Sequence, residues 1–130
     1  MSAVNLARAA AARPHPWSPL IVAEVSGTAV KVARLEGAFV WHDHAGEDEG
    51  FLVLEGALVI QHEDRPDVTL GPGELHVVPA GVRHRPVAET ECLVALIEPM
   101  TTAHTGEEAT PLTRTIEEQR GEPTLPVGTA

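Results

Sequence analysis

Short runs of β-prone residues, separated by turn residues, dominate the middle of the chain. Gly, Pro and Asp stand between the runs, and no amphipathic pattern of helical length interrupts them. Closely spaced strands without intervening helices predict an antiparallel all-β sandwich or barrel rather than a parallel α/β fold. We expect about nine short strands on this pattern, and they cover residues 20–25, 29–35, 38–44, 51–55, 57–62, 68–70, 75–78, 85–88 and 92–97.

The N-terminal region has a different composition. Residues 4–13 are rich in Ala and are followed by Pro14, which predicts a short helix with Asn5 as its N-cap. Further prolines exclude regular structure up to residue 19. We therefore expect residues 1–19 to form a helix and a Pro-rich lead-in to a barrel of residues 20–98.

The region beyond Pro99 is polar, and Thr, Glu, Gly and Pro dominate it. Residues 112–120 could form a short helix, but the segment is otherwise too polar to build a core. We expect residues 99–130 to be a polar tail that is loose, or draped over the barrel surface or a partner subunit.

Composition narrows the possible partners. The 130 residues suffice for one core, and the formal charge is −10, with Lys31 as the single lysine. Such an acidic surface repels phosphate backbones and anionic lipid, so nucleic acids and membrane surfaces are poor partners. The single cysteine, Cys92, excludes an intrachain disulfide and is expected to be a buried small apolar residue. No apolar run approaches the about 20 residues of a membrane span, and no secretory signal is evident, so we expect a cytoplasmic location.

The strongest candidates for metal-ligating residues are His42 and His44. Strand alternation predicts that both imidazoles share one face with Val40, while Phe39 and Trp41 take the other face. Two imidazoles spaced in this way can reach one metal ion side by side. A surface or core pair of histidines would show the same spacing, so these two residues alone do not define a site.

Two further residues can complete a metal site. Glu49 follows after a turn, and an antiparallel fold can bring His84 beside the first pair; Glu47 and Asp48 are alternative carboxylates. Three imidazoles and one carboxylate suit a divalent transition metal such as Zn, Fe, Mn or Ni, whereas Ca and Mg prefer oxygen ligands. A six-coordinate metal would keep two positions for water or substrate, and four-coordinate Zn would keep none.

The spacing of these residues resembles the first motif of the cupin superfamily, which is usually written as Gly, five residues, His-x-His, three or four residues, Glu, six residues and Gly. In this chain Gly37 is followed by four residues, His42 and His44, four residues, Glu49, six residues and Gly56. The first interval is one residue short, which a small loop change absorbs.

The second cupin motif is also similar. It is usually written as Gly, five residues, Pro-x-Gly, two residues, His, three residues and Asn. Here Gly73 is followed by five residues, Pro79 and Gly81, two residues, His84, three residues and Ala88. Ala88 replaces the terminal Asn, which is not a metal ligand in the family.

The resemblance implies a double-stranded β-helix, or jelly-roll barrel, with metal ligands at His42, His44, Glu49 and His84, and a homodimer. Within the superfamily, the chain is most similar to small single-domain bacterial cupins, which are often labelled as similar to mannose-6-phosphate isomerase. Glu49 is preferred over its neighbours because it keeps six residues before Gly56.

Other polar residues are weaker candidates. His62 shares strand parity with Leu58 and Ile60 and could line the pocket as the catalytic acid or base. His76 could take a pocket position or a place in a dimer interface. We expect His15 and His104, in irregular segments, to have no special role.

Two functions are compatible with these residues. The first is a metal-dependent enzyme of isomerase or oxygenase type that acts on a small polar metabolite. The chain has few cations to anchor a sugar phosphate, which counts against a sugar-phosphate isomerase. The second is a non-catalytic module that binds or senses a small molecule and holds a structural metal.

Overall fold

A computed structural model describes residues 2–106 and 113–121. Within these ranges the chain forms two short helices, α1 (Leu6–Ala11) and α2 (Ile116–Gln119), and seven strands. The strands are β1 (Leu20–Val25), β2 (Thr28–Ala38), β3 (Glu49–Glu55), β4 (Leu58–His62), β5 (Val68–Leu70), β6 (Leu75–Val78) and β7 (His84–Pro99).

Strand β7 is the central strand of the barrel and pairs with β2, β3 and β4. Its first part pairs with β4, so that His84 lies opposite His62, and its second part lies between β2 and β3. The path β1-β2-β7-β3-β6 carries β4 and β5 as a branch, and every pairing is antiparallel. The predicted all-β jelly-roll barrel is confirmed, as is a short N-terminal helix with Asn5 as its N-cap.

The expectation of two separate strands over 85–88 and 92–97 was wrong. Both runs belong to β7, which continues through the polar residues between them. The pairing register shifts between Leu35 and Gly37 in β2 and between Val53 and Glu55 in β3. These irregularities let a long strand bend from one side of the barrel to the other without ending.

The strand expected over 38–44 was also wrong. Strand β2 ends at Ala38, opposite Val87, and pairing resumes only at His42, opposite His84. The chain advances four residues from Ala38 to His42, whereas the opposite strand advances three between Val87 and His84. This difference of one residue is the signature of a β-bulge. The extra residue breaks the alternation, and Phe39 is buried in the interior rather than on the face opposite His42.

Apolar residues fill two regions. The barrel interior contains side chains such as Val53, Leu58 and Ile60, which are fully buried. On the outer face of the sheet, Ala10 of α1 packs against Val32 and Leu93. The helix thus covers one face of the barrel, and the opposite face of the same strands forms the interior.

One ion pair lies inside this apolar environment. Lys31 is fully buried on β2, and its Nζ atom lies 2.5 Å from Oε2 of Glu98 on β7 and 2.5 Å from Oε1 of Gln119 on α2. The parity of β2 explains the position, because Lys31 alternates with the buried Ala29 and Ala33. A charged pair so far from water is stable only while both partners are present.

The described part of the C-terminal tail contacts the barrel and contributes buried polar side chains. Thr102, Thr105 and Gln119 are almost completely buried. Helix α2 is shorter than the predicted 112–120 and begins after a capping box at Thr115; residues 107–112 and 122–130 lie outside the described ranges.

Across the described parts of the chain, no helix combines the length and apolar character that crossing a membrane requires.

Gly56, which lies between β3 and β4, provides a test of the packing against β7. Its φ is +89°, and a Cβ at this position would lie 2.8 Å from the main-chain oxygen of Glu91. Gly37 has the same φ with nothing within 4 Å of such a Cβ. In urea unfolding, we expect Gly37→Ala to lower the free energy of unfolding by about 1–2 kcal/mol, because alanine is strained at a positive φ. Gly56→Ala should lower it by about 1–3 kcal/mol more, because its Cβ also clashes with the main chain. Equal losses would contradict this packing.

The buried pair gives a second test. We expect Lys31→Met to lower the free energy of unfolding by about 3–5 kcal/mol, because Glu98 is left buried without a countercharge. The double variant Lys31→Met/Glu98→Gln should recover much of this loss, since no charge then remains at the position. A loss below about 1 kcal/mol in the single variant, as for a surface pair, would contradict the burial of this pair.

Candidate metal centre

Four predicted ligands meet at one end of the barrel interior. His42 lies at the isolated bridge, His44 in the loop that follows it, Glu49 at the start of β3 and His84 at the start of β7. All four are buried, and one ligand atom from each lies within 4.8 Å of the others, so that the group could hold a metal ion. The fold thus brings residues from distant parts of the chain together as the spacing predicted.

The alternative carboxylates have other partners. Glu47 accepts a hydrogen bond from Oγ1 of Thr101 at 2.7 Å, and Asp48 accepts one from the main-chain N–H of Ala80 at 2.9 Å. Glu49 is therefore the carboxylate that joins the three imidazoles.

Main-chain carbonyls orient two of the imidazoles. Nδ1 of His42 lies 2.9 Å from the carbonyl oxygen of Val40, and Nδ1 of His84 lies 2.9 Å from that of Val82. Because a carbonyl can only accept a hydrogen bond, each Nδ1 carries the proton. In the neutral rings Nε2 then presents a lone pair, which is the arrangement that a histidine ligand requires.

The spacing of the ligand atoms suits a cation. Oε1 of Glu49 lies 3.1 Å from Nε2 of His84 and 3.2 Å from Nε2 of His44. Neighbouring ligands with bonds of about 2.1 Å to one ion lie about 3.0–3.4 Å apart. A carboxylate oxygen and a ring lone pair repel each other unless a proton or cation lies between them, and Nε2 of His44 is buried without a hydrogen-bond partner. The residues present therefore fit a divalent metal.

The pKa values of two neighbouring buried carboxyl groups, Glu49 and Glu98, are shifted in opposite directions. Burial acts to raise the pKa of Glu49, but its contacts with His44 and His84 outweigh this and hold its pKa well below the usual range. Burial and the charge of Glu49 raise the pKa of Glu98 well above its usual range, although Lys31 acts in the opposite direction. The charged form of Glu49 is thus favoured by its histidine neighbours, whereas the charged form of Glu98 depends on Lys31.

Burial also keeps His42 in its neutral form. Removal from water lowers its pKa to about 4, an effect that the charge of Glu49 only partly offsets. A neutral imidazole is the form that binds metals, so this ligand remains available at neutral pH.

A small cavity adjoins the cluster. Its volume is about 30 Å³, enough for about two water molecules. His42 and Glu49 line it at the metal end. The rest of the lining is almost entirely apolar and consists of Trp17, Pro19, Ala33, Leu35, Phe39, Phe51, Pro86 and Leu96, together with His104.

His104 is a site residue that the sequence reasoning missed. It comes from the C-terminal segment, its ring centroid lies 5.2 Å from that of Phe39, and it lines the cavity. Burial, together with the positive charge of Lys31, lowers the pKa of His104 to about 3. No local pattern marks this residue, because its position depends on how the tail crosses the barrel. The burial of Lys31, by contrast, could have been predicted from the sequence, because it alternates in a strand with the apolar residues Ala29 and Ala33.

His62 and His76 form a separate pair. Nε2 of His62 lies 3.2 Å from Nε2 of His76, and its Nδ1 lies 3.0 Å from the carbonyl oxygen of Pro66. His62 is buried, as its parity predicted, but neither residue is among those that line the cavity beside the cluster. Their predicted catalytic and pocket roles stay predictions.

The burial of His104 predicts a pH dependence of stability. An unfolded histidine with its ordinary pKa of 6.5 takes up a proton as the pH falls, whereas folded His104 does not until about pH 3. The metal-free protein should therefore lose stability below pH 6.5 through this residue. Between about pH 7.5 and about pH 5.5, we expect the wild type to lose about 1 kcal/mol more than His104→Asn.

Urea unfolding at the two pH values measures this difference. The exposed residue His15 offers a control, because His15→Ala should keep the full decline of the wild type. The same decline in His104→Asn and in the wild type would contradict the assignment.

Known proteins share this sequence pattern and fold. A family model described as a cupin domain matches residues 28–98. The crystal structure of a cupin-2 domain containing protein from Shewanella frigidimarina NCIMB 400 aligns with a TM-score of 0.69 and 42% identity, over 74% of this chain and 93% of that one. Protein NMB1881 from Neisseria meningitidis aligns with a TM-score of 0.68 and 33% identity, over 75% of this chain and 99% of that one.

Among curated proteins, the uncharacterized protein YdbB of Bacillus subtilis (strain 168) is 36% identical over 64 residues. These residues are 49% of this chain and 57% of that protein, so the match spans less than two thirds of its length. Since the family model matches more than half of this chain, and since its sequence and structure agree with those of the Shewanella protein, the chain belongs to the cupin family.

Proposed function

We propose that this cupin is a metal-dependent enzyme that acts on a small molecule inside the barrel. One observation carries the proposal: four buried residues place their candidate ligand atoms together beside a small, mostly apolar cavity. A purely structural metal has no need for an adjoining space, whereas a catalytic metal needs one for its substrate.

His42, His44, Glu49 and His84 would hold one divalent transition metal. Zn, Fe, Mn and Ni all accept this ligand set, and a six-coordinate ion would keep two positions for water or substrate. When bound, such a metal polarises an oxygen of the substrate or activates oxygen. The carboxylate of Glu49 provides the negative charge that balances the ion, and the apolar lining excludes bulk water from it.

The lining narrows the class of substrate. Among the described residues, neither Lys nor Arg lines the cavity, so a phosphate ester would have no cationic anchor there. The apolar walls favour a compact ligand with an apolar body and few polar atoms. This supports oxygenase-type or related chemistry over the isomerisation of a sugar phosphate.

Several finer assignments stay predictions. They include the similarity to mannose-6-phosphate isomerase, an acid or base role for His62, the division at residues 19 and 98, a cytoplasmic location and a homodimer. The exposed side chains of Leu75, Val77 and Ile97 form an apolar surface that would suit a second subunit.

The ligand assignment can be tested by metal analysis. We expect protein purified without added metal to contain about one transition metal per chain, and His44→Ala to weaken its binding by at least about 100-fold, because loss of outer contacts alone costs about 10–100-fold. Elemental analysis and a competition titration with a chelator measure both quantities. His15→Ala, at an exposed position, is the control and should retain the metal.

Two outcomes would count against the proposal. Full metal content in His44→Ala would contradict the ligand assignment. Four-coordinate Zn without exchangeable water would instead support the non-catalytic binding or sensing module, because no position would remain for a substrate.

A further inference from the structure

We propose that His104 is a substrate-contacting residue, whose Nε2–H donates a hydrogen bond to the far end of a small ligand bound at the metal. The ligand class is a compact molecule or monoanion with an acceptor atom at each end and little polar surface between them. This inference rests on the proposed function and adds a residue outside the cupin motifs.

The hydrogen bond at the other ring nitrogen determines the tautomer of His104. Its Nδ1 accepts a hydrogen bond from the main-chain N–H of Arg114 at 2.9 Å. A nitrogen that accepts from an N–H carries no proton, so the neutral ring has its proton on Nε2. His104 thus offers a donor, and Nε2 has no hydrogen-bond partner among the described residues.

The ring faces the same space as the cluster. The His104 ring lies against Phe39, with centroids 5.2 Å apart, and the edge of Phe39 meets His42 at 5.4 Å. His104, His42 and Glu49 all line the one cavity, but the nitrogens of His104 are not within the group of ligand atoms. It therefore lines the cavity as a residue separate from the four candidate ligands.

Three other polar atoms of the lining residues already have hydrogen-bond partners. Nε1 of Trp17 donates to the carbonyl oxygen of Glu36 at 2.9 Å, and the carbonyl oxygen of Pro86 accepts from the N–H of Phe39 at 3.0 Å. Nδ1 of His42 is bound to Val40. A ligand at the metal thus meets apolar walls with His104 as the donor at the other end.

A chain of contacts holds His104 in place from the core. Lys31 contacts Oε1 of Gln119, and Nε2 of Gln119 donates to the carbonyl oxygen of Arg114 at 2.9 Å. The N–H of Arg114 then binds His104. The main chain at Arg114 is therefore held on both sides, and the orientation of His104 depends on the buried Lys31. Such support is what a ligand-contacting residue on an irregular segment needs.

Azide is a suitable probe, because it is a linear anion of three atoms with an acceptor at each end. The full-length protein is loaded with Co(II), and azide is titrated while the visible spectrum of cobalt is recorded. Two variants separate the roles of the ring nitrogens. Asn in His104→Asn can keep the acceptor for Arg114 but lacks the distal donor, whereas Gln in His104→Gln can place an N–H near the position of Nε2.

We expect His104→Asn to raise the dissociation constant of azide by at least about tenfold, because a hydrogen bond to a charged acceptor is lost. His104→Gln should stay within about threefold of the wild type, since a donor to the anion remains. Both variants should bind one Co(II) per chain with the affinity of the wild type.

Other results would overturn the inference. These are unchanged azide affinity in His104→Asn, equal weakening in both variants, loss of cobalt from either variant, or no azide binding by the cobalt-loaded wild type. Failure of the wild type to bind cobalt at all would instead refute the proposed function. Metal content, measured first, distinguishes the two failures.

Discussion

The main chains of His42 and His84 exchange two hydrogen bonds, of 3.0 and 2.8 Å, and the geometry of the site depends on this exchange. It joins the segment that carries His42 and His44 to the start of β7, where His84 lies. The extra residue between Ala38 and His42 permits the join, and it also turns Phe39 into the interior. A single bulge therefore assembles the cluster and supplies part of the apolar cavity wall.

The cluster is part of a longer polar network inside an otherwise apolar barrel. Glu98 lies between the carboxylate of Glu49 and the ammonium group of Lys31, which is itself fully buried. Isolated charges at this depth would be very costly, so positive and negative groups have to occur together. A divalent cation bound by His44, Glu49 and their partners would extend the same balance of charge to the end of the network.

The C-terminal segment connects this network to the cavity. The buried Gln119 of α2 contacts Lys31, and through Arg114 the same segment positions His104 at the cavity. A polar tail that could not fold by itself thus becomes ordered by binding buried polar groups of the barrel. The wall of the candidate active site and the interior ion pair consequently share one set of contacts.

The sequence by itself predicted the barrel and the four candidate ligands. Strand-length runs between turn residues predicted the all-β architecture, because these signals are local. The intervals from Gly37 to Glu49 and around His84 predicted the cluster through their resemblance to the cupin motifs. Tertiary structure alone decided that β7 continues through two predicted strands, that a bulge redirects Phe39 and that His104 enters the cavity. Each of these depends on pairing between residues far apart in the chain, and such pairing leaves no periodic pattern in the sequence.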